Sequence, residues 1–315
     1  MIAIDLFAGA GGFSLAAARA GLDVVWAANH WRAAVETHSL NHPETTIECQ
    51  DLQQADWHGV PAHDVLLASP ACQGHSNAAT RGGSGRRRGT APQHDYLRST
   101  AWAVVSCAEV HRPSFVVVEN VREFRSWVLY QAWLTALGAL GYDAQEVEID
   151  AADTGVPQHR RRLFVVATHQ RLGGSLSFDL PREGHRPART IYDARAAGWR
   201  PVEDRPAGVR RRIQAGIDRG WGSLFVTQHV TGHRGRCPDR PLGTVTTKNH
   251  WGWVRRRRGR WETRMLTVGE IRDAMGFPSD YELGARTKTE AIKLLGNAIV
   301  PAVGECLLRQ IARAA

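Results

Sequence analysis

Through the first half of the chain, short apolar runs alternate with stretches whose apolar positions recur every three or four residues. Ile2 to Phe7 reads as a strand, followed by a glycine turn and an alanine-rich helix through Gly21. Asp23 to Ala28 predicts a second strand, and about Arg32 to Asn41 a second helix. The pattern then gives a strand over Asp64 to Ala68, a helix over Tyr96 to His111 and a valine-rich strand over Ser114 to Glu119. A helix over Val128 to Gly141 and an apolar run over Leu163 to Thr168 complete it. Strands alternating with helices predict an α/β fold: a doubly wound, mostly parallel Rossmann-like sheet. In such sheets ligands sit outside the carboxyl ends of the strands.

From about Arg171 the periodicity fades and Gly, Pro and Arg rise. Strand-like pieces remain at Leu224–Thr227 and Thr244–Thr247, and helical spacing returns after Arg286. Three regions are expected: 1–175, a smaller, irregular, basic domain over 176–285, and a helical terminus over 286–315.

Charge sharpens this picture. The formal net charge is +9 and is concentrated in four blocks: Arg86 to Arg88, Arg160 to Arg162, Arg210 to Arg212 and Arg255 to Arg258. Guanidinium forks match phosphate oxygens, so the blocks favour a polyanionic partner over a merely solvated face. The five cysteines contain no C-x-x-C pair, which argues against a disulfide framework and a zinc cluster and fits a cytoplasmic protein. No apolar run approaches the roughly 20 residues of a membrane span, and the first residues read as a strand, not a signal peptide.

Candidate chemistry gathers at the predicted strand ends. Phe7, Ala8, Gly9, Gly11 and Gly12 form a glycine turn after the first strand, without the spacing of the dinucleotide fingerprint. His30 and Trp31 follow the second strand, where Rossmann-like folds place groups for a ribose and a tryptophan can stack on an adenine. Asp51, before Leu52, can accept from an amino group or cap a turn. Glu119 ends a strand expected to be buried, which favours a site role. Arg160 and Arg162, two apart, face one side of an extended stretch. Cys72 stands at a strand mouth in "SPACQGHS", and burial base rates alone would make it a packing residue.

Together these segments resemble the C5-cytosine DNA methyltransferases. The resemblance rests on ordered motifs: the glycine turn at 5–14, "SPACQGHS" at 69–76, "ENV" at 119–121, "QHRRR" at 158–162 and "LLGNAIVP" at 294–301. "RPLGTVTT" at 240–247 and "RMLTVGEIRDAMGFP" at 264–278 also look like the family's region after target recognition. It implies that Cys72 is the nucleophile adding to cytosine C6, that Glu119 binds the ring at N3 and the amino group, and that Arg160 and Arg162 stand near the base oxygen. It implies S-adenosylmethionine along Phe7, Ala8 and Gly9 in the glycine turn, with His30, Trp31, Asp51, Leu52, Asn297 and Val300 around it. The partner implied is double-stranded DNA carrying a flipped-out cytosine, and a cognate restriction endonuclease is left open. The 1–175 region is then catalytic and cofactor-binding, 176–285 target-recognising, and the terminal helix returns to the catalytic domain. Ser76 and Arg86, Arg87 and Arg88 would engage DNA from a loop over Gln73 to Pro92, joined by Gln228, Arg234, Arg236 and Lys248. No metal is implied, and a monomer is expected.

Two positions depart from the family pattern. Ala71 stands where the family has a second proline, which loosens the backbone holding Cys72. His30 stands where the family has an acid for the ribose hydroxyls, although histidine also hydrogen-bonds. The alternatives are the same chemistry on RNA, an inactive DNA-binding relative, or transfer of a larger group from a modified sulfonium donor.

Overall fold

The computed structural model describes residues 1–71, 99–174, 176–230 and 235–314. Cys72, Ser76, Arg86, Arg87, Arg88 and Arg234 lie outside the described residues. The main sheet has seven strands: β1 (Ile2–Leu6), β2 (Asp23–Ala28), β3 (Thr46–Glu48), β4 (Val65–Ala68), β5 (Phe115–Asn120), β6 (Tyr142–Asp150) and β7 (Arg161–His169). Their spatial order is β3-β2-β1-β4-β5-β7-β6. β1 to β5 run parallel, with α1 (Gly12–Arg19) and α2 (Arg32–Asn41) in the first crossovers and α3 (Trp102–His111) between β4 and β5. β4 and β5 are wholly buried, which is why they read as unbroken apolar runs.

β7 departs from the parallel rule. It pairs antiparallel with both β5 and β6, because only ten residues, 151–160, separate it from β6. A parallel crossover needs a dozen or more residues, usually a helix. The reversal has a functional consequence: β7 begins where β1, β2, β4 and β5 end, so Arg162 lies on the same rim as Glu119. α4 (Tyr130–Ala139) precedes β6, an edge strand whose charges hide it from a hydrophobic pattern.

The second part is more regular than its sequence texture predicts. β8 (Arg200–Pro201), β9 (Leu224–Gln228), β10 (Trp251–Arg257) and β11 (Arg260–Met265) form an antiparallel sheet in the order β8-β11-β10-β9. α5 (Ala207–Ile217) packs Ile213 on Phe225 and Val254. Val226, Trp251, Trp253 and Leu266 join the larger core with residues of the main sheet. The strand expected over Thr244–Thr247 is absent, and that stretch instead lies against the QHRRR segment. α6 (Val268–Ala274) starts at a capping box formed by Thr267 and Glu270.

The terminal helical pattern resolves into two helices, α7 (Lys288–Asn297) and α8 (Pro301–Ala314). By length and composition alone Lys288–Ala314 could cross a membrane, yet 72% of its most apolar window is buried inside the molecule. It is core: Gly304 approaches so close to α1 that a Cβ there would sit 2.8 Å from Ala16 Cβ. The link Ala298-Ile299-Val300 between the helices lies against the glycine turn after β1.

Candidate active site

The chain order sends β2 and β3 to one side of β1 and β4 and β5 to the other, so a crevice opens at the carboxyl ends of β1 and β4. A cleft at this point is lined on one wall by Phe7, Ala8 and Gly9 and at one end by His30 and Trp31. Ser69, Pro70, Ala71 and Glu119 close the other end, and Lys293, Asn297 and Ile299 cover it from the C-terminal helices.

The glycine turn is under tight backbone constraint. Phe7 holds φ 61° and Gly9 φ 56°, both left-handed. A non-glycine residue rarely adopts that conformation, and such strain concentrates at binding sites. Gly11 (φ 80°) caps α1, and a Cβ there would fall 2.6 Å from Tyr281 Oη. A Cβ on Gly12 would fall 2.3 Å from the carbonyl oxygen of Ile299. Gly11 and Gly12 therefore serve close packing from behind and do not line the cleft. Val300 and Leu52 are likewise buried without lining it. Asp51 accepts from the backbone N–H of Gln53 at 3.1 Å and caps a short turn, the alternative its sequence context left open.

Trp31 is half-buried at the start of α2, its backbone N–H donating to Asn29 Oδ1 at 2.9 Å. Lys293 Nζ stands 4.3 Å from the centroid of its ring, a cation–π contact across the cleft. His30 is exposed at the same end. An aromatic face, a glycine wall without side chains and polar groups at the rim suit an adenosyl group carrying a polar tail, so these residues fit S-adenosylmethionine.

Glu119 is 7% exposed, and its Oε1 lies 2.8 Å from Arg162 Nε. Burial pushes its carboxyl above the usual glutamate range, against the opposing influence of the Arg162 and Arg160 guanidinium groups. The site thus holds a carboxyl that keeps its proton more readily than one in water. Asn120, next in the chain, donates from Nδ2 to the carbonyl of Pro70 at 3.1 Å. Ser69 Oγ donates to the carbonyl of Phe7 at 3.2 Å, and the Ala71 N–H donates to Thr100 Oγ1 at 3.2 Å. The segment leading into Cys72 is therefore tied to β1, β5 and the residues before α3. The loosening expected from the absent proline is offset here by a bond that proline could not make. Asn120, Thr100, Ser69 and Lys293 were not singled out individually by sequence; "ENV" and "SPACQGHS" contain Asn120 and Ser69, and no motif marked Thr100 or Lys293.

The QHRRR segment divides its labour by alternation. Gln158 is fully buried, donating to the carbonyl of Ala274 and accepting from the N–H of Val245, both at 2.8 Å. Arg160, 3% exposed, donates to the carbonyls of Val245 (2.9 Å), Gly296 (3.0 Å) and Ala298 (3.0 Å). Through these three bonds Arg160 braces the segment around Asn297, and its charge also acts on Glu119. Of the pair, Arg162 is the one that contacts Glu119. His159 and Arg161 point the other way, onto Asp150.

Beyond Arg162 a cavity of about 480 Å³ separates the two parts of the molecule, lined by Asp150, His159, Arg161 and Arg236 among others. Gln228 and Arg236 also line a neighbouring cavity, with Trp221. Lys248 is exposed on a turn whose Thr246 Oγ1 donates to its carbonyl. Among the described residues no group of three or more His, Cys, Asp or Glu side chains could hold a metal ion.

Comparison with known proteins fits this arrangement. M.HgiDI, a Type II methyltransferase of Herpetosiphon aurantiacus, is 36% identical over 308 residues, covering 95% of this chain and 90% of that protein. M.MthTI, a Type II methyltransferase of Methanothermobacter thermautotrophicus, is 23% identical over 343 residues, covering 98% and 96%. The solved structure of the methyltransferase EhMeth from Entamoeba histolytica superposes with a TM-score of 0.72 at 15% identity, covering 99% of this chain and 98% of that one. The C-5 cytosine-specific DNA methylase description matches residues 1–196 and 211–313, so the strand-end cleft, the Glu119–Arg162 pair and the returning C-terminal helices sit in a chain that belongs to that family.

Proposed function

We propose that this chain methylates C5 of cytosine in double-stranded DNA, with S-adenosylmethionine as donor. The observation that carries the reading is the single continuous cleft. It is lined by Trp31 at one end and by Glu119 at the other, where Ala71, the residue before Cys72, also stands. Donor and acceptor must lie within reach of one another for a direct transfer, and one cleft that serves both meets that need.

Cytosine C5 is a poor nucleophile. The Cys72 thiolate adds to C6, which makes C5 electron-rich, and splits one difficult step into easier ones. Glu119 meets the ring at N3 and the amino group, and its raised proton affinity lets it supply a proton to N3 as negative charge develops. Arg162 orients Glu119 and reaches toward the ring oxygen. S-adenosylmethionine, when bound, supplies an electrophilic methyl group. Transfer of the C5 proton to water, departure of the Cys72 thiolate and return of the N3 proton to Glu119 then restore the ring. Because both faces of the ring are engaged, the base must leave the stack. Arg160 braces Gly296 and Ala298, so that Asn297 faces the donor. The names of M.HgiDI and M.MthTI as Type II methyltransferases support a restriction–modification setting, with a nuclease as companion.

The test is bisulfite sequencing of DNA from cells that lack other cytosine methylation and express this chain. Protected cytosines in a fixed context are expected, and none in the Cys72→Ser variant. Labelled methyl transfer to duplex DNA and to RNA is compared side by side. Transfer to RNA alone, or product from Cys72→Ser, overturns the reading.

A further inference from the structure

The cavity beyond Arg162 is built from both parts of the molecule, and its walls are fixed. On the catalytic side, Asp150 Oδ1 accepts from the N–H groups of Ala152 (3.2 Å) and Arg160 (2.9 Å). Its Oδ2 lies 3.0 Å from His159 Nδ1 and 3.4 Å from Arg161 Nε. Burial works against the Asp150 charge, yet the hydrogen bond from His159 and those from the two backbone amides hold its carboxyl below the usual aspartate range. An ionised Asp150 thus fixes His159 and Arg161 at the lip.

On the opposite side, Arg236 exchanges two backbone hydrogen bonds with Val226 of β9, at 2.8 and 3.2 Å. The loop is seated on the first part where Leu242 bridges Gln158 and Thr244 Oγ1 donates to the carbonyl of His159 at 2.9 Å. The Arg236 guanidinium is half-buried, and among the described residues it makes no hydrogen bond or ion pair. Burial and the neighbouring Arg240 lower its hold on its proton, and the Asp150 charge across the gap, already engaged by His159, Arg161 and two backbone amides, offsets this only in part. Arg161 is 66% exposed at its side chain, and among the described residues the one hydrogen bond or ion pair of its guanidinium is the long contact to Asp150. Two arginines from different parts of the molecule thus face one gap, beside the carboxyl proposed to hold the base.

We infer that this cavity holds a phosphodiester of the DNA strand next to the flipped cytosine, gripped by Arg161 from β7 and by Arg236 from the recognition loop. The inference rests on the methyltransferase reading above. It assigns Arg236 to backbone, whereas its place in the recognition region suggests base reading. A nucleotide whose base stands at Glu119 carries phosphates on both sides of its sugar, and the gap lies just past Arg162. A phosphate between the arginines supplies negative charge beyond that of Asp150 and closes the two parts on the same nucleotide. Guanidinium forks match that geometry.

The test measures binding by fluorescence anisotropy with a labelled duplex of about 30 base pairs, salt being varied from about 50 to 200 mM. The duplex carries a site mapped by bisulfite sequencing. If the wild type methylates none, a random-sequence pool replaces it, so that failure of the methyltransferase reading leaves this measurement standing. Arg236→Gln and Arg161→Gln are each expected to flatten the plot of log affinity against log salt by about 0.9. Across that fourfold salt range the variant then loses roughly 3.5-fold less affinity than the wild type. Arg236→Lys, which keeps the charge but not the fork, is expected to restore the slope, and the set of methylated sequences stays the same in all variants. An unchanged slope in well-folded Arg236→Gln, or a changed set of methylated sequences with the slope intact, overturns the inference.

Discussion

The backbone N–H of Ala71 donates to Thr100 Oγ1 at 3.2 Å, one residue before Cys72. On the other side of the same turn, Asn120 Nδ2 holds the carbonyl of Pro70 at 3.1 Å. The segment that delivers Cys72 is thus stapled from both flanks, by hydrogen bonds where a second proline would have acted through a locked φ.

Replacing Thr100 with Val removes the acceptor and leaves the Ala71 amide in a half-buried position. A stranded donor costs about 1–3 kcal/mol, and under the proposed mechanism the cost falls on the placement of Cys72. Steady-state kinetics should show a lower kcat with little change in KM for the donor. Adding Ala71→Pro to Thr100→Val, which removes the unpaired N–H, should recover part of the rate. A Thr100→Val enzyme with wild-type kcat would show that the staple is irrelevant.

Glu119→Gln keeps the shape of the side chain but removes the titrating proton. A roughly 10²–10⁴-fold loss of kcat is expected, with duplex binding retained. Since burial raises the affinity of Glu119 for its proton, the acid form persists above the usual glutamate range and is lost as pH rises further. The alkaline limb of the kcat–pH profile should therefore move to still higher pH in Arg162→Gln, where an opposing charge has been removed. Movement to lower pH would contradict the assignment.

Arg160→Met should strand three carbonyls that now receive its guanidinium. With charged hydrogen bonds contributing about 1.5–3 kcal/mol each before relaxation, urea unfolding should register a loss of about 3 kcal/mol or more. Because two of the carbonyls flank Asn297, the dissociation constant for S-adenosylhomocysteine should rise as well. Destabilisation without any change in that constant would confine Arg160 to a role in folding.

Gly12→Ala places a methyl group 2.3 Å from the Ile299 carbonyl oxygen, a backbone atom that can move only with the link between α7 and α8. Overpacking of this kind costs about 1–3 kcal/mol. Calorimetric titration is the check: weakened binding of S-adenosylmethionine is expected, because Asn297 and Ile299 line the same cleft. Unchanged affinity would mean that the link adjusts independently of the donor site.

Asp5 is fully buried under the glycine turn, where its Oδ2 accepts from Ser14 Oγ at 2.8 Å, and burial raises its carboxyl to about 7 despite that hydrogen bond. An acid raised in the fold contributes stability that is fully present below its unfolded value of 3.8 and is lost as pH rises to about 7. Asp5→Asn should match the wild type near pH 4 and gain on it as pH rises, by up to about 1.4 kcal/mol per pH unit. His38, lowered to about 3 by burial and by His42, acts in the opposite sense and is present in both proteins, so it cancels. Melting curves from acid to neutral pH would test this, and a constant offset would remove the carboxyl from the explanation.

Much of this molecule was legible in one dimension. β2 and α2 fall on their expected residues, because a buried parallel strand and an amphipathic helix each carry a local hydrophobic period. The ordered motifs named the family for the same reason: residue types at fixed places in the chain are sequence information. β6 was missed because an edge strand buries one face and carries charge on the other. β10 and β11 were missed because their arginines, paired or stacked on Glu262, Trp199 and Trp261, break the apolar pattern without breaking the strands.

The amino-acid order alone determined that carboxylate, arginines and glycine turn stand at the ends of strands. Only the tertiary structure decided what each does there. The antiparallel turn of β7 brings Arg162 to Glu119, the returning helices give Arg160 two of its three carbonyls, and Thr100 reaches the amide that Ala71 leaves free to donate. These partners lie 29 to 138 residues apart in the chain. Hydrogen bonds and ion pairs act over a few ångströms of space, and distance along the sequence does not record that separation.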